Sequence, residues 1–161
     1  AIYILPHDYL EYISKYLEEG RNPDAPGYFF EWLIRKTDVY AFKFRGTWFD
    51  IGSPSGYLAA MQQLLKETKV GSNTSVEGKI IDPVYIADNV EIDANSTVGP
   101  YTILCEGTKI RKSKITRTLV MDGTSIIESE ITNTLIGKKA QICGGRIRDS
   151  VLASHTKLYM K

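Results

Sequence analysis

The second half of the sequence predicts a mainly β protein wound as a parallel β-helix, and three features of the residue pattern predict it. Aliphatic residues recur at a strict step of six, at Ile80, Ile86, Ile92, Val98, Leu104 and Ile110. The series continues through Ile115, Val120, Ile126, Ile131, Ile136, Ile142, Ile147, Leu152 and Leu158, now in steps of five, five and six. Small or β-branched residues stand four places after many of these aliphatics: Val84, Val90, Ser96, Thr102, Thr108, Thr124, Ala140 and Thr156. Neither an α-helix nor a hairpin strand has such a period, and a fixed long period is the mark of stacked repeats.

The coil geometry follows from the steps. Three steps of six close an 18-residue coil with three short faces, and steps of five, five and six close a 16-residue coil with two tightened corners. The shorter repeat is visible in Thr118-Leu119-Val120, Thr134-Leu135-Ile136 and Ser150-Val151-Leu152. Each coil is expected to rest about 4.8 Å above the last through parallel backbone hydrogen bonds. Sorted by face, Ile80, Val98, Ile115, Ile131 and Ile147 form one inward column. Ile86, Leu104, Val120, Ile136 and Leu152 form a second, and Ile92, Ile110, Ile126, Ile142 and Leu158 a third. A narrow prism has room only for small companions beside these rows. Asn89, Asn95, Gly107, Gly123 and Gly145 are candidates for corners that require left-handed backbone angles. The β-helix is expected over residues 79–161.

Residues 1–67 have the grammar of ordinary α/β sequence. Ile2 to Leu5 suits a buried strand, and Pro6 opens a helix over residues 6–19 with Leu10, Ile13 and Leu17 on one face. A second helix runs from Ala25 or Pro26 to Lys36, with Asp24 as its candidate cap. Val39-Tyr40-Ala41-Phe42-Lys43-Phe44 and Trp48-Phe49-Asp50-Ile51 read as strands. Ser53-Pro54 starts a third helix carrying Tyr57, Leu58, Met61 and Leu64-Leu65. Residues 68–78 turn small and polar and read as the connection between the halves. The abrupt apolar start, without an initiator Met, reads as the middle of a longer protein.

Bulk properties narrow the function. Lys and Arg total 20 against 19 Asp and Glu, so charge offers no argument for nucleic acid or an anionic membrane. No apolar run reaches the roughly 20 residues of a membrane span. Cys105 and Cys143 lack the close spacing of a zinc or redox pair, and two cysteines are compatible with the cytoplasm, the expected location. They fall on different faces, so neither a disulfide nor a metal site is expected of them. Lys109-Ile110-Arg111-Lys112-Ser113-Lys114, Lys138-Lys139, Arg146 and Arg148 read as solvated coil edges. Tyr9, Tyr12 and Tyr16, at helical spacing, are expected to pack against a further domain or the β-helix.

The steps of six, with Ile86-Ala87, Ile92-Asp93 and Val98-Gly99 followed by Val90, Ser96 and Thr102, resemble the hexapeptide repeats of left-handed β-helix proteins. Left-handed coiling is implied by that resemblance, not by the period. The stretch Gly46-Thr47-Trp48-Phe49-Asp50-Ile51-Gly52-Ser53-Pro54, with Val39-Tyr40-Ala41-Phe42 before it and Tyr57-Leu58 after it, resembles the closing segment of a sugar-phosphate nucleotidyltransferase domain. The 16-residue coils are similar to the tail of long-form glucose-1-phosphate thymidylyltransferases.

What the resemblance implies is transfer of a nucleotidyl group from a nucleoside triphosphate to a sugar 1-phosphate, releasing pyrophosphate; the stacked faces and coil ends of the β-helix offer flat contact surfaces, so a homo-oligomer is expected. The resemblance also implies Mg²⁺ held by two aspartates, Asp50 matching the second of them. The family's glycine-rich phosphate loop with its Arg and Lys, its first metal aspartate and its Glu-Lys-Pro sugar contact have no counterpart in these residues. The chain is therefore expected to be the C-terminal part of such an enzyme, inactive alone and without a catalytic residue of its own. Without the resemblance, Asp50 reads as a turn carboxylate beside Gly52, and Trp48 and Phe49 read as core. Two rival readings stand beside this one. His155 in the last coil suits a β-helix acyltransferase using acyl-coenzyme A. A non-catalytic nucleotidyltransferase-like scaffold or regulatory subunit shares the two-part plan.

Overall fold

Ile86, Leu104, Val120, Ile136 and Leu152 stand directly one above another, each strand paired in parallel with the next. A computed structural model describes residues 2–160, so Ala1 and Lys161, the outer ends of both expected domains, lie outside the described residues. The other two columns are equally continuous, Ile80 through Ile147 and Ile92 through Leu158. They belong to three parallel sheets, two of six strands and one of five, whose neighbours are always one coil apart in sequence. From Val84 to Ile147 the inward aliphatics form one buried cluster, with Val76, Ile80, Leu152, Leu158 and Met160 packed at its two ends.

The small companions lie inside as expected, except Thr156, which is half-buried in the last coil. The step-of-six rule missed four more: Ser113, Thr118, Ser129 and Thr134 are buried at the five-residue corners. A buried hydroxyl must be bonded, and these are. Ser129 Oγ donates to the Ile127 carbonyl at 2.7 Å, and Ser113 Oγ accepts the Ser129 amide at 3.1 Å. Thr118 and Thr134 donate to carbonyls two residues back, at 2.8 and 2.9 Å.

Corners set the coil shape. Asn73, Asn89, Gly107, Gly123, Lys139 and His155 form one corner column with φ between 52° and 68°. Left-handed angles cost an L-residue about 1–2 kcal/mol. From Asn89 onward each corner amide donates to the coil beneath, Gly123 to Glu106, Lys139 to Asp122 and His155 to Lys138 at 2.8 Å, and at the L-residues this offsets that cost. Gly145 is also left-handed, but Asn95 is not among the left-handed residues; it lies in a wider turn closed by the Ser96 amide on the Asp93 carbonyl at 3.0 Å.

That wider turn marks the change from 18- to 16-residue coils. At this corner Glu128 donates its amide to the Arg111 carbonyl below it at 3.0 Å. Lys112, one coil earlier, has no such carbonyl beneath it, and its amide donates instead to the Asp93 carboxylate, at 3.0 and 3.2 Å. Ser96 Oγ donates to the same carboxylate at 2.5 Å. The Ser96 hydroxyl, then the Lys112 and Asn95 amides, hold the Asp93 carboxyl below its usual range. Asp93 thus joins two coil sizes.

The β-helix begins earlier than residue 79. Residues 68–78, expected as a connection, include strands Lys69–Val70 and Ser75–Val76, paired with the coil above. The first coil turns its second corner in four residues, from Val76 to Ile80, and the small polar letters there hid the period.

The chain divides into two compact units, Ala1–Thr47 and Trp48–Lys161. In the first unit, a 3-10 turn at His7–Tyr9 leads into helix α1 (Glu11–Glu18), and helix α2 spans Pro26–Leu33. Pro26 occupies the first turn of α2, and Asp24 does not cap it: the N-cap is Ala25, with no side-chain bond. Tyr16, Phe29, Trp32 and Leu33 form the core of this unit, with Tyr12 and Leu5 packed against it. None of the strands expected at residues 2–5, 39–44 and 48–51 is formed, and the regular elements among described residues 2–47 are helical. A strand needs a neighbouring segment to bond its backbone groups, and among the described residues no such ladder is formed there. Tyr40 and Phe42 are accordingly 86% and 88% exposed. In the second unit, helix α3 (Pro54–Leu64) precedes the first coil.

Two outcomes follow. Ile126→Ala removes a fully buried side chain from the centre of a column and is expected to cost about 2–5 kcal/mol in denaturant unfolding. Asp93→Ala is expected to lower the melting temperature near neutral pH and to leave it unchanged at low pH. A carboxyl whose folded pKa is depressed contributes fully above its ordinary value, near pH 4, and loses that contribution as pH falls through the folded value. Melting curves from pH 7 to pH 2 check both the loss and its sign.

Candidate functional site

Residues 50–56 form a short, closely determined loop at the head of α3. Ser53 is the N-cap, and its Oγ accepts the Gly56 amide at 3.1 Å. Pro54 at the first helical position has no amide to leave unbonded. Asp50 is exposed, and its Oδ1 accepts the Gly52 amide at 2.9 Å. Gly56 lies under Asp50 so closely that a Cβ there would come within 2.2 Å of the Asp50 carbonyl oxygen. The loop therefore stays in register with the first turn of α3.

The helix is in turn keyed to the β-helix. Leu58 and Met61 on α3 pack on the outward side chain of Leu119, and Ile103, Cys105, Met121 and Leu135 surround them. Leu58, Met61 and Leu119 are 4%, 5% and 8% exposed. Outward residues of the sheet carrying Ile86 to Leu152 are apolar at Ile103, Leu119 and Leu135, which gives α3 its seat. Trp48, expected in the core, is instead mostly exposed, and Phe49 is half-buried.

Mg²⁺ takes near-octahedral oxygen ligands, often one or two carboxylates with phosphate and water. Asp50 presents one carboxylate to solvent, which fits one such position. Among the described residues no group of three His, Cys, Asp or Glu side chains is close enough to hold a metal ion. These residues fit a contribution to a magnesium site and not a whole one.

The other candidates resolve into structural roles. His155 occupies the left-handed corner column at φ 62°, its amide donating to Lys138, so its position answers a backbone requirement. Cys105 and Cys143 are both free. Burial under α3, and then the charge of Asp122, push the Cys105 thiol above its ordinary range. The basic stretches are matched by acids one coil away. Lys109 reaches Glu91 at 2.7 Å, Lys112 reaches Glu128 at 3.0 Å, Lys138 reaches Asp122 at 2.8 Å and Arg146 reaches Glu130 at 2.9 Å. Glu130 also lies 3.7 Å from Arg148. They are charge ladders along exposed sheet faces, each pair worth little.

Tyr9, Tyr12 and Tyr16, expected to pack against a further domain or the β-helix, make contacts within their own unit. Tyr16 donates to the Asn22 carbonyl at 2.8 Å, Tyr9 pairs with Thr37 at 2.8 Å, and Tyr12 meets Trp32 edge to face. A groove beside them, lined by Lys15, Glu18, Glu19 and Lys36, has mixed charge. Glu19 there is already engaged by Arg21 at 2.7 Å and by Trp32 Nε1 at 3.0 Å.

Gly56 and the α3 seat were missed from the sequence. The signal for the seat was present in the outward apolar row of Ile103, Leu119 and Leu135, which alternate with the inward column.

Comparison with known proteins places the loop in a family context. Residues 1–67 match the family model for nucleotidyl transferase, a match that ends just beyond α3. No curated protein matches the chain. No helix among the described residues is long and apolar enough to cross a membrane.

Ser53→Ala removes the α3 cap and is expected to cost about 1 kcal/mol in unfolding free energy, with Ser53→Thr largely restoring it. In a Cys143→Ser background, Cys105 is expected to react slowly with a disulfide reagent at pH 7.5 and faster as pH rises. Release of the chromophore with time measures both rates.

Proposed function

We propose that this chain, a nucleotidyltransferase segment continued by a parallel β-helix, is the C-terminal part of an enzyme that joins a nucleotidyl group to a sugar 1-phosphate. The observation that carries the reading is the Asp50 loop: an exposed carboxylate, held by Gly52 and Gly56, inside the segment that matches the family. The Trp48-Phe49-Asp50-Ile51-Gly52 stretch supports the narrower sugar-phosphate class, and the 16-residue coils support a glucose-1-phosphate thymidylyltransferase type.

In such a reaction an oxygen of the sugar phosphate attacks the α-phosphorus of a nucleoside triphosphate. The bond from that phosphorus to the bridging oxygen breaks, and pyrophosphate leaves. Positioning in line and neutralising charge carry most of the catalysis. Asp50 would hold one position on Mg²⁺, which when bound supplies charge neutralisation at the phosphate oxygens. The Gly52 amide fixes the orientation of that carboxylate. No residue of this chain is assigned a covalent role. The phosphate loop with its Arg and Lys is not among these 161 residues, so the chain by itself is proposed to be inactive. Homo-oligomers are proposed to form through exposed sheet faces and coil ends.

The test is pyrophosphate release by the polypeptide that carries these residues together with a phosphate loop. It is run with Mg²⁺, four nucleoside triphosphates and a panel of sugar 1-phosphates. Release is expected to require both substrates and to fall on the order of 100-fold with Asp50→Ala. The 161 residues alone are expected to release none. Full activity in Asp50→Ala, or transfer of an acyl group from acyl-coenzyme A that His155→Ala abolishes, contradicts the reading. A parent polypeptide with no phosphate loop and no release points to the scaffold alternative.

A further inference from the structure

We propose that the β-helix is the mount for Asp50, and that Gly56 is the point at which the seat of α3 sets the position of that carboxylate. The consequence for catalysis rests on the function proposed above; the mechanical part stands on geometry alone.

The family match runs through residue 67, but the compact unit that contains the β-helix begins at Trp48. Asp50 therefore belongs physically with the coils. Three rigid links connect it to them. Leu58 and Met61 fix α3 on Leu119. Ser53 Oγ ties the cap to the Gly56 amide at 3.1 Å. Gly56 carries the Asp50 carbonyl against its Cα, with no room for a methyl group. Ala is ordinarily the better residue inside a helix, so glycine at this third helical position reads as a steric requirement of Asp50. Leu58, Met61 and Gly56 are thus positioning residues, with no contact to a reacting group required of them.

The experiment compares Gly56→Ala with Gly27→Ala, a helical glycine whose added methyl would meet nothing within 4 Å. In the 161-residue chain, two-dimensional amide spectra report the Gly52 resonance, whose proton is bonded to Asp50. Gly56→Ala is expected to shift Gly52 strongly and leave Ile126 in place; Gly27→Ala is expected to shift neither. Leu58→Ala is expected to shift Gly52 as well, with Leu58→Met restoring it. In the active polypeptide, Gly56→Ala is expected to raise the Mg²⁺ concentration for half-maximal pyrophosphate release about tenfold. An unmoved Gly52 amide in both Gly56→Ala and Leu58→Ala overturns the mount. A moved amide with an unchanged Mg²⁺ requirement overturns its role toward the metal. If Asp50→Asn leaves both transfer and Mg²⁺ requirement intact, the nucleotidyl-transfer reading of Asp50 fails while the Gly52 shift still reports the mount.

Discussion

Parallel stacking in constant register is the constraint on which the rest of this structure depends. Every coil places the same kind of side chain at the same height and angle as the coil below. An aliphatic therefore meets an aliphatic, a hydroxyl meets a backbone carbonyl, and a left-handed amide meets the carbonyl beneath it. A one-residue slip would turn the inward column outward along a whole sheet. The few devices that change the repeat must accordingly be local, and Asp93 is one: its carboxylate stands where the shorter coils supply a carbonyl. Charge follows the same register, with Glu91, Asp122, Glu128 and Glu130 each set against a base one coil away.

The legible parts of the fold were those with a period. All fifteen aliphatics assigned to three faces occupy those faces, because a three-sided tube leaves each inward position one chemical solution. Ser113, Thr118, Ser129 and Thr134 were missed because they were sought four places after an aliphatic. Counting two places before the next aliphatic finds them in coils of either size. The first coil was missed because its corner closes in four residues around Gly78, where a Cβ would come within 2.6 Å of the Asp93 carbonyl. The strands expected at Val39 to Phe44 and at Trp48 to Ile51 have the right letters, but a strand is a property of two paired segments, and no ladder is formed at these described residues.

The candidate site was legible only as a resemblance. Asp50 was singled out by its motif, and nothing in its own spacing separated it from an ordinary turn aspartate. What distinguishes it is tertiary: a cap, a glycine without room for a side chain, and an apolar seat on the coils. The family match and the structural boundary disagree by residues 48–67, and that overlap is informative. Residues 48–67 of the segment that matches the nucleotidyl transferase family form one compact unit with the β-helix, which is the ground for proposing the β-helix as the mount of Asp50.

Native-state hydrogen exchange across the whole chain tests that claim most directly. The amides of residues 57–65 in α3 should open together with those of the coils beneath them, such as Leu119 and Leu135, and with the same denaturant dependence. Those of residues 11–18 and 26–33 should open independently at lower cost. Exchange in which α3 opens with α1 and α2, while the coils remain closed, would contradict the account.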